Sequence, residues 1–166
     1  MAKNESGTWI IRTPTAGITT VAGTPVTALQ YQASSSNNAE LIWFSISQSA
    51  STTAGMEQVR VVRKTAGATV TIGAIGTNIF DTTANSTGGK TAFQGTLSTS
   101  ATGVVATVEG TDGDEPFRMN FNNQAGYEKD FQLDGRLWIP ASGIIAIKIK
   151  AVLAGTYDVM MAIKEY

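Results

Sequence analysis

The sequence predicts an all-β protein, a two-layer antiparallel β-sandwich of about ten to twelve strands with no substantial helix. Three observations predict it. The first is the alternation of apolar and polar residues, with a period of two, in the runs Leu137 to Lys150 and Thr156 to Tyr166. Ile145, Ile147 and Ile149 share one face, with Lys148 and Lys150 on the other. Tyr157, Val159, Met161 and Ile163 share one face, with Asp158 and Lys164 on the other. Successive strand side chains point to opposite sides of a sheet, so these runs are half-buried strands in register with a core. The second observation is that turn clusters recur about every 8–12 residues, the spacing of a sandwich or barrel. The third is that no window joins helical periodicity to helix start and stop signals. Alternation leaves one face of each strand polar, which favours antiparallel over parallel pairing.

The elements follow in order. Trp9-Ile10-Ile11 opens a short strand that ends before Pro14. Thr13 to Pro25 holds two prolines and two glycines among threonines, so residues 1–25 are expected to form an extended N-terminal arm carrying that one strand. Residues 26–166 are expected to form a single sandwich domain. Val26 to Gln32 alternates as a strand, and Ser34 to Asn38 is a turn cluster. Glu40 to Gln48 is a strong strand with Ile42, Phe44 and Ile46 on one side and Trp43 on the other. Ser49 to Gly55 reads as a loop of small residues. In Glu57 to Lys64, Val59 and Val61 point in while Gln58, Arg60 and Lys64 point out. The short link Ala66-Gly67-Ala68 suggests a hairpin with Thr69 to Ile75.

Asp81 to Lys90 is the longest polar stretch and reads as a mobile loop. Thr91 to Leu97 and Thr102 to Val108 read as strands. Gly110 to Glu115 is an acidic turn closed by Pro116, after which Phe117, Met119 and Phe121 alternate. Asn122 to Gly126 is a turn, Tyr127 to Leu133 a strand, and Arg136 to Ile139 a short strand stopped at Pro140. Pro140 to Gly143 and Leu153 to Gly155 are the turns that flank the run ending at Lys150.

Composition bounds the chemistry. A chain of 166 residues suits one domain. It buries roughly 68–70% of its unfolded surface, enough for a core without staples. Cysteine and histidine are both absent. That removes disulfides, a thiolate nucleophile, the commonest general base and the commonest transition-metal ligand. The formal net charge is −1 and charged residues are 15%, against roughly 25% in ordinary soluble domains. Neither a basic nucleic-acid binder nor a polybasic membrane binder is expected. Met1 to Gly7 is short and polar, without the apolar run of a secretory signal, and no stretch reaches the length of a membrane-spanning helix. A low-charge surface rich in Thr, Ser, Ala and Gly fits a protein covered by neighbours in an assembly, and also a small bland β-domain.

Each motif has a plain reading beside the functional one. Asp112, Asp114 and Glu115 offer carboxylate oxygens to a hard cation, but they lack the ligand loop and bidentate glutamate of an EF-hand, and a solvated turn is the simpler reading. Ser86 to Thr91 ends in Gly-Lys-Thr but lacks the first glycine of a phosphate loop and a following helix, so a flexible loop is expected there. The serines have no histidine to activate them, and Lys148 and Lys150 are expected to be solvated on the polar face. Asp130 and Asp134 offer an acid–base pair of the glycosidase kind, but only Tyr127 and Trp138 stand near as aromatics for a sugar platform. A histidine-held metal of the cupin kind is excluded by composition. Trp43 points away from Ile42, Phe44 and Ile46, either as an interface anchor or buried on a second covered face. Trp138 is expected as a core lid. Arg60 and Arg63 are expected on the surface, able to bridge a partner's carboxylate. The candidate interface is Trp9, Ile10, Ile11, Trp43 and Arg60. No catalytic, cofactor or metal residue is assigned, and no enzyme activity, cofactor or small-molecule ligand is expected.

The turn Leu137-Trp138-Ile139-Pro140-Ala141-Ser142-Gly143-Ile144, followed by two long final strands, is similar to jelly-roll domains. With the cysteine-free, Thr/Ser/Ala/Gly-rich composition, it resembles the small trimeric jelly-roll decoration (cement) proteins of tailed-phage capsids. That resemblance covers most of the chain as pattern and composition, and it carries over no site residue. It implies a virion structural protein made in the host cytoplasm, a homotrimer bound to the outer capsid surface and bridging neighbouring major capsid subunits. On this reading the N-terminal arm lies on a neighbour, and its removal through residue 13 abolishes particle binding while leaving the fold. The other reading is a receptor- or glycan-binding β-domain of a virion fibre or tail, with Trp43 or Tyr127 as its exposed aromatic.

Overall fold

In the computed structural model the two alternating C-terminal runs form the inner strands of two antiparallel sheets packed face to face. The structure describes residues 7–13, 17–50, 53–69, 79–81, 96–99 and 106–166. Its strands are β1 Thr8–Arg12, β2 Ile18–Thr19, β3 Pro25–Gln32, β4 Ala39–Ala50, β5 Met56–Ala66, β6 Ile79–Asp81 and β7 Thr96–Thr99. They continue with β8 Thr111–Asp112, β9 Phe117–Asn122, β10 Tyr127–Asp130, β11 Leu137–Ile139, β12 Ile144–Lys150 and β13 Thr156–Glu165. Among the described residues the only helical element is the 3₁₀ turn Leu133–Gly135.

Sheet A runs β10-β4-β13-β1-β6, with β11 added to β4 and β2 to β13. Sheet B runs β7-β3-β12-β5-β8, with β9 added to β5. Successive strands change sheet from β2 to β3, β3 to β4, β4 to β5, β5 to β6, β6 to β7, β9 to β10, β11 to β12 and β12 to β13. Four strands of each sheet, β1-β13-β4-β10 and β3-β12-β5-β9, therefore interlock as a jelly roll. The expected all-β sandwich is the observed fold.

Its core is made by the alternation that predicted it. Ile145, Ile147 and Ile149 of β12 face Tyr157, Val159, Met161 and Ile163 of β13, and all seven are fully buried. Leu29 and Tyr31 of β3, Phe44 and Ile46 of β4, and Val59 and Val61 of β5 complete the layer. Each such side chain contributes about 1.5–3 kcal/mol by leaving water. One end is closed by rings from both sheets. Phe44 meets Phe117 edge-on at 5.7 Å, and Phe131 packs on both. The turn from β11 to β12 forms as expected, with Gly143 N donating to Pro140 O at 2.7 Å.

Three expectations are corrected. Residues from Gly7 on are not an arm. β1 is inserted between β13 and β6, and β2 pairs with β13. Trp9 and Ile11 alternate inward on β1, so their burial drives that insertion. The link after β5 does not make a hairpin over its described part; β5 is flanked by β12 on one side and by β8 and β9 on the other. In β4 the phase changes at a bulge opposite Ala162 and Ile163, so Leu41, Phe44 and Ile46 face the core while Ile42 is only half-buried. The Gly-Lys-Thr motif lies outside the described residues, as do most of the Asp81–Lys90 loop and much of the two strands expected after it.

Candidate interaction surface

The two sheets present different outer faces. That of sheet B begins as a row of cations. Arg60 and Lys148 are register partners, and Lys64 lies opposite Ile144 on the same face. An isolated row of cations repels itself. The acidic segment Glu109 to Glu115 folds back across it as a strap, pairing through β8 to the end of β5.

Every carboxylate of the strap has a cationic partner. Lys64 donates to Asp112 Oδ1 at 2.7 Å and to the Glu109 carbonyl at 2.5 Å. Lys148 donates to Asp112 Oδ2 at 2.7 Å and lies 3.3 Å from Glu109 Oε2. Glu109 is fixed from the far side by Thr27, whose N–H and hydroxyl donate to it at 2.9 and 2.6 Å. Asp114 accepts from Arg63 at 2.6 Å, and Glu115 accepts from Arg60 and Arg118. Burial pushes the Asp112 carboxyl up, but the two lysine ammoniums outweigh it and hold it below the usual carboxylate range. Glu115 is held low by Arg118 and Arg60, and Asp114 by Arg63.

These contacts revise the reading of the acidic turn and of Lys64 and Lys148. The acidic turn is a clasp for the chain's own cations rather than a solvated turn. Lys64 and Lys148 are buried, with side chains 0% and 6% exposed, rather than solvated. Lys150 is exposed as expected. Arg60 does meet a carboxylate, but it is Glu115 of the same chain. Among the described residues no group of three or more acidic side chains is placed to hold a metal ion. Asp130 and Asp134 are both exposed, one on β10 and one in the 3₁₀ turn.

The outer face of sheet A is organised in rows across the strands. Arg12 of β1, Met160 of β13, Ser45 of β4 and Glu128 of β10 form one row. Ile10, Ala162, Trp43 and Asp130 form the next. Thr8, Lys164, Glu40 and Trp138 of β11 form the third. Ile10 and Trp43 are half-buried, and Met160 is 36% exposed. Trp43 donates its indole N–H to Glu128 Oε1 at 2.5 Å, which ties the ring to β10. Of the five candidate interface residues, then, Ile10 and Trp43 meet on this face, Trp9 and Ile11 are core, and Arg60 belongs to the clasp.

Met160 and Ala162 escaped the sequence reading, although they stand at positions of β13 whose flanking alternates are Asp158 and Lys164. Two apolar residues in the middle of a strand's polar face were the available signal. Trp138 is also corrected. It is 46% exposed rather than a lid, and its ring leans on Tyr166 at 5.9 Å and 33°. Tyr166 donates to Glu40 at 2.5 Å, and Arg136 reaches the same carboxylate at 3.5 Å. Lys164 stands 4.8 Å over the Tyr166 ring. Tyr127, in contrast, is half-buried among Phe44, Phe117 and Phe121. No family model, curated protein or solved structure matches this chain.

Proposed function

We propose that this chain is a virion structural protein that binds the outer capsid surface as a homo-oligomer, a trimer by resemblance, and stabilises the shell by bridging major capsid subunits. The observation that carries this reading is the outer face of sheet A. Half-buried Trp43 and Ile10 and exposed Met160 form an apolar stripe around the buried Ala162, framed by charged residues. Aromatic residues and Met are enriched where proteins meet, and a polar rim around an apolar centre is the usual anatomy of a contact surface. On sheet B the strap covers Lys64 and Lys148, whereas the sheet A stripe has no such charged strap over it among the described residues. Over Thr8–Arg12 the N-terminal segment is a strand of sheet A. On this reading the face joins copies of the chain to one another, and avidity from the linked copies multiplies a modest contact of each with the capsid.

The test is fractionation of purified virions of the source on a density gradient. The chain should co-sediment with the capsid, be released with its neighbours intact, and raise the temperature at which emptied capsids rupture when added back. Absence from purified particles, or add-back without effect on rupture, would overturn the reading.

A second reading, a glycan-binding domain of a virion fibre or tail, is favoured by the Trp138–Tyr166 pair with Glu40 and Arg136 beside it. An exposed ring face receives the C–H side of a sugar, and planar charged groups bind its hydroxyls. Saturable signal on a glycan array that disappears in Trp138→Ala would favour this reading over the first.

A further inference from the structure

We infer that the outer face of sheet A is covered by a second copy of this chain, placed so that the β1–β13 flank of one copy lies against the β10–β4 flank of the other. The inference rests on the homo-oligomer reading above and deepens it by naming the surface and the pairing.

The face is electrostatically lopsided. On the β1–β13 side stand Arg12 and Lys164, with Asp158 close enough to Arg12 to feel its charge. On the β10–β4 side stand Glu128 and Asp130, both exposed, with Glu40 next to them shared between Arg136 and Tyr166. Between the flanks runs the neutral row of Met160, Ala162 and Ser45 and the Trp43 ring. Two copies meeting with like flanks superposed would bring Arg12 against Arg12 and Glu128 with Asp130 against their own images, which is repulsive. Meeting with unlike flanks opposed joins Arg12 and Lys164 to Glu128 and Asp130, and stacks the apolar centres. The same surface thus carries both the attraction and the discrimination against the wrong register.

The chain's composition points to the same occupant. A net charge of −1 leaves little long-range attraction for a strongly charged partner, so the pairing has to be local and self-complementary. Trp43 is the anchor. Its N–H is already satisfied by Glu128, so covering the ring strands no donor.

The experiment is a charge exchange on the full chain, read by light scattering behind size exclusion and by sedimentation velocity. Wild type should be oligomeric. Arg12→Glu alone, and Asp130→Arg alone, should each raise the dissociation constant roughly tenfold or more, because like charges then oppose. Both changes in one chain should restore association to within roughly threefold of wild type, since the charges are exchanged rather than removed. Circular dichroism and the thermal midpoint should be unchanged in every variant, because the substituted residues are exposed. Trp43→Ser should abolish association in the same buffer. An oligomeric wild type indifferent to all of these changes overturns the pairing and leaves the homo-oligomer reading standing. A monomeric wild type at high concentration overturns both. Association that each flank variant weakens but the combined variant fails to restore overturns the opposed-flank arrangement.

Discussion

The two outer faces of this jelly roll solve the same problem in opposite ways. A strand pattern that alternates apolar and polar residues fills one core and leaves each sheet a second face to settle with water or a neighbour. On sheet B the chain settles it internally. Lysines 64 and 148 are covered by the segment Glu109 to Glu115, and every acid of that segment has a cation of the same chain. On sheet A the face carries Trp43, Ile10, Met160 and Ala162 with unlike charges at its two sides. A closed charged face and an open apolar one on the same sandwich indicate that polar character by itself does not mark a surface for function. The informative features are a buried charge, which needs an internal partner, and an exposed apolar row, which calls for an external one.

The comparison can be broken most severely by removing a strand that carries part of the sheet A face and part of the core. Deleting residues 8–13 takes out β1, with buried Trp9 and Ile11, from between β13 and β6. The expected outcome is loss of the cooperative thermal transition, read by circular dichroism. A folded, merely non-associating protein would return these residues to the role of an arm.

The next largest effect is on the clasp. Asp112→Asn leaves Lys64 and Lys148 buried with a neutral partner and only Glu109 to balance them. A loss of about 3 kcal/mol is expected in urea unfolding, because an uncompensated buried charge costs more than the pair contributed. Lys148→Met in the Asp112→Asn background should recover part of it. Gly110→Ala tests the same strap through its backbone. Gly110 has φ +70°, and an added Cβ would overlap the carbonyl oxygens of Ala66 and Gly67. A cost of about 1–3 kcal/mol is expected, with faster amide exchange across the strap.

Acid should separate the faces more gently. Asp112, Asp114 and Glu115 are held below their ordinary values by their cations, so they bind protons less readily folded than unfolded. Their contribution is complete above the unfolded carboxylate range, about pH 4, and is lost as pH falls through the lower folded values. Stability should therefore decline as pH falls below about pH 4, and Asp112→Asn should flatten that decline. On the open face Asp158 works in the opposite sense, since burial pushes its carboxyl up against the pull of Arg12. The smallest effect on the isolated subunit is expected at Met160. Met160→Ser should change monomer stability by no more than about 0.5 kcal/mol while weakening association. A large loss of monomer stability there would place Met160 in the fold rather than in a contact.

Much of this architecture is legible from local pattern. The inward residues of β12 and β13 all proved to be core, and the turns at Asn122–Gly126 and Pro140–Gly143 formed where their residue types demand. The site was less legible, because a strand pattern says which residues share a face but not what lies over that face. Lys148 alternates as a solvent residue and is buried only because a segment 36 positions away covers it. Trp9 and Trp43 have the same chemistry, yet one is core and the other surface. The bulge in β4 that re-phased Ile42 depends on its partner strand β13, about 120 residues later, and is invisible to local periodicity.

Alone, the chain of residues determined the all-β class, the inward faces of its longest strands and the absence of thiol and imidazole chemistry. These depend on side-chain type and a period of two, which are local properties. Only the tertiary structure decided that β1 is an inner strand, that the acids clasp the lysines, and that Ile10, Trp43, Ala162 and Met160 meet in one stripe. Those outcomes are set by pairing between distant strands, where burial of apolar area and neutralisation of charge are settled for the whole sheet at once.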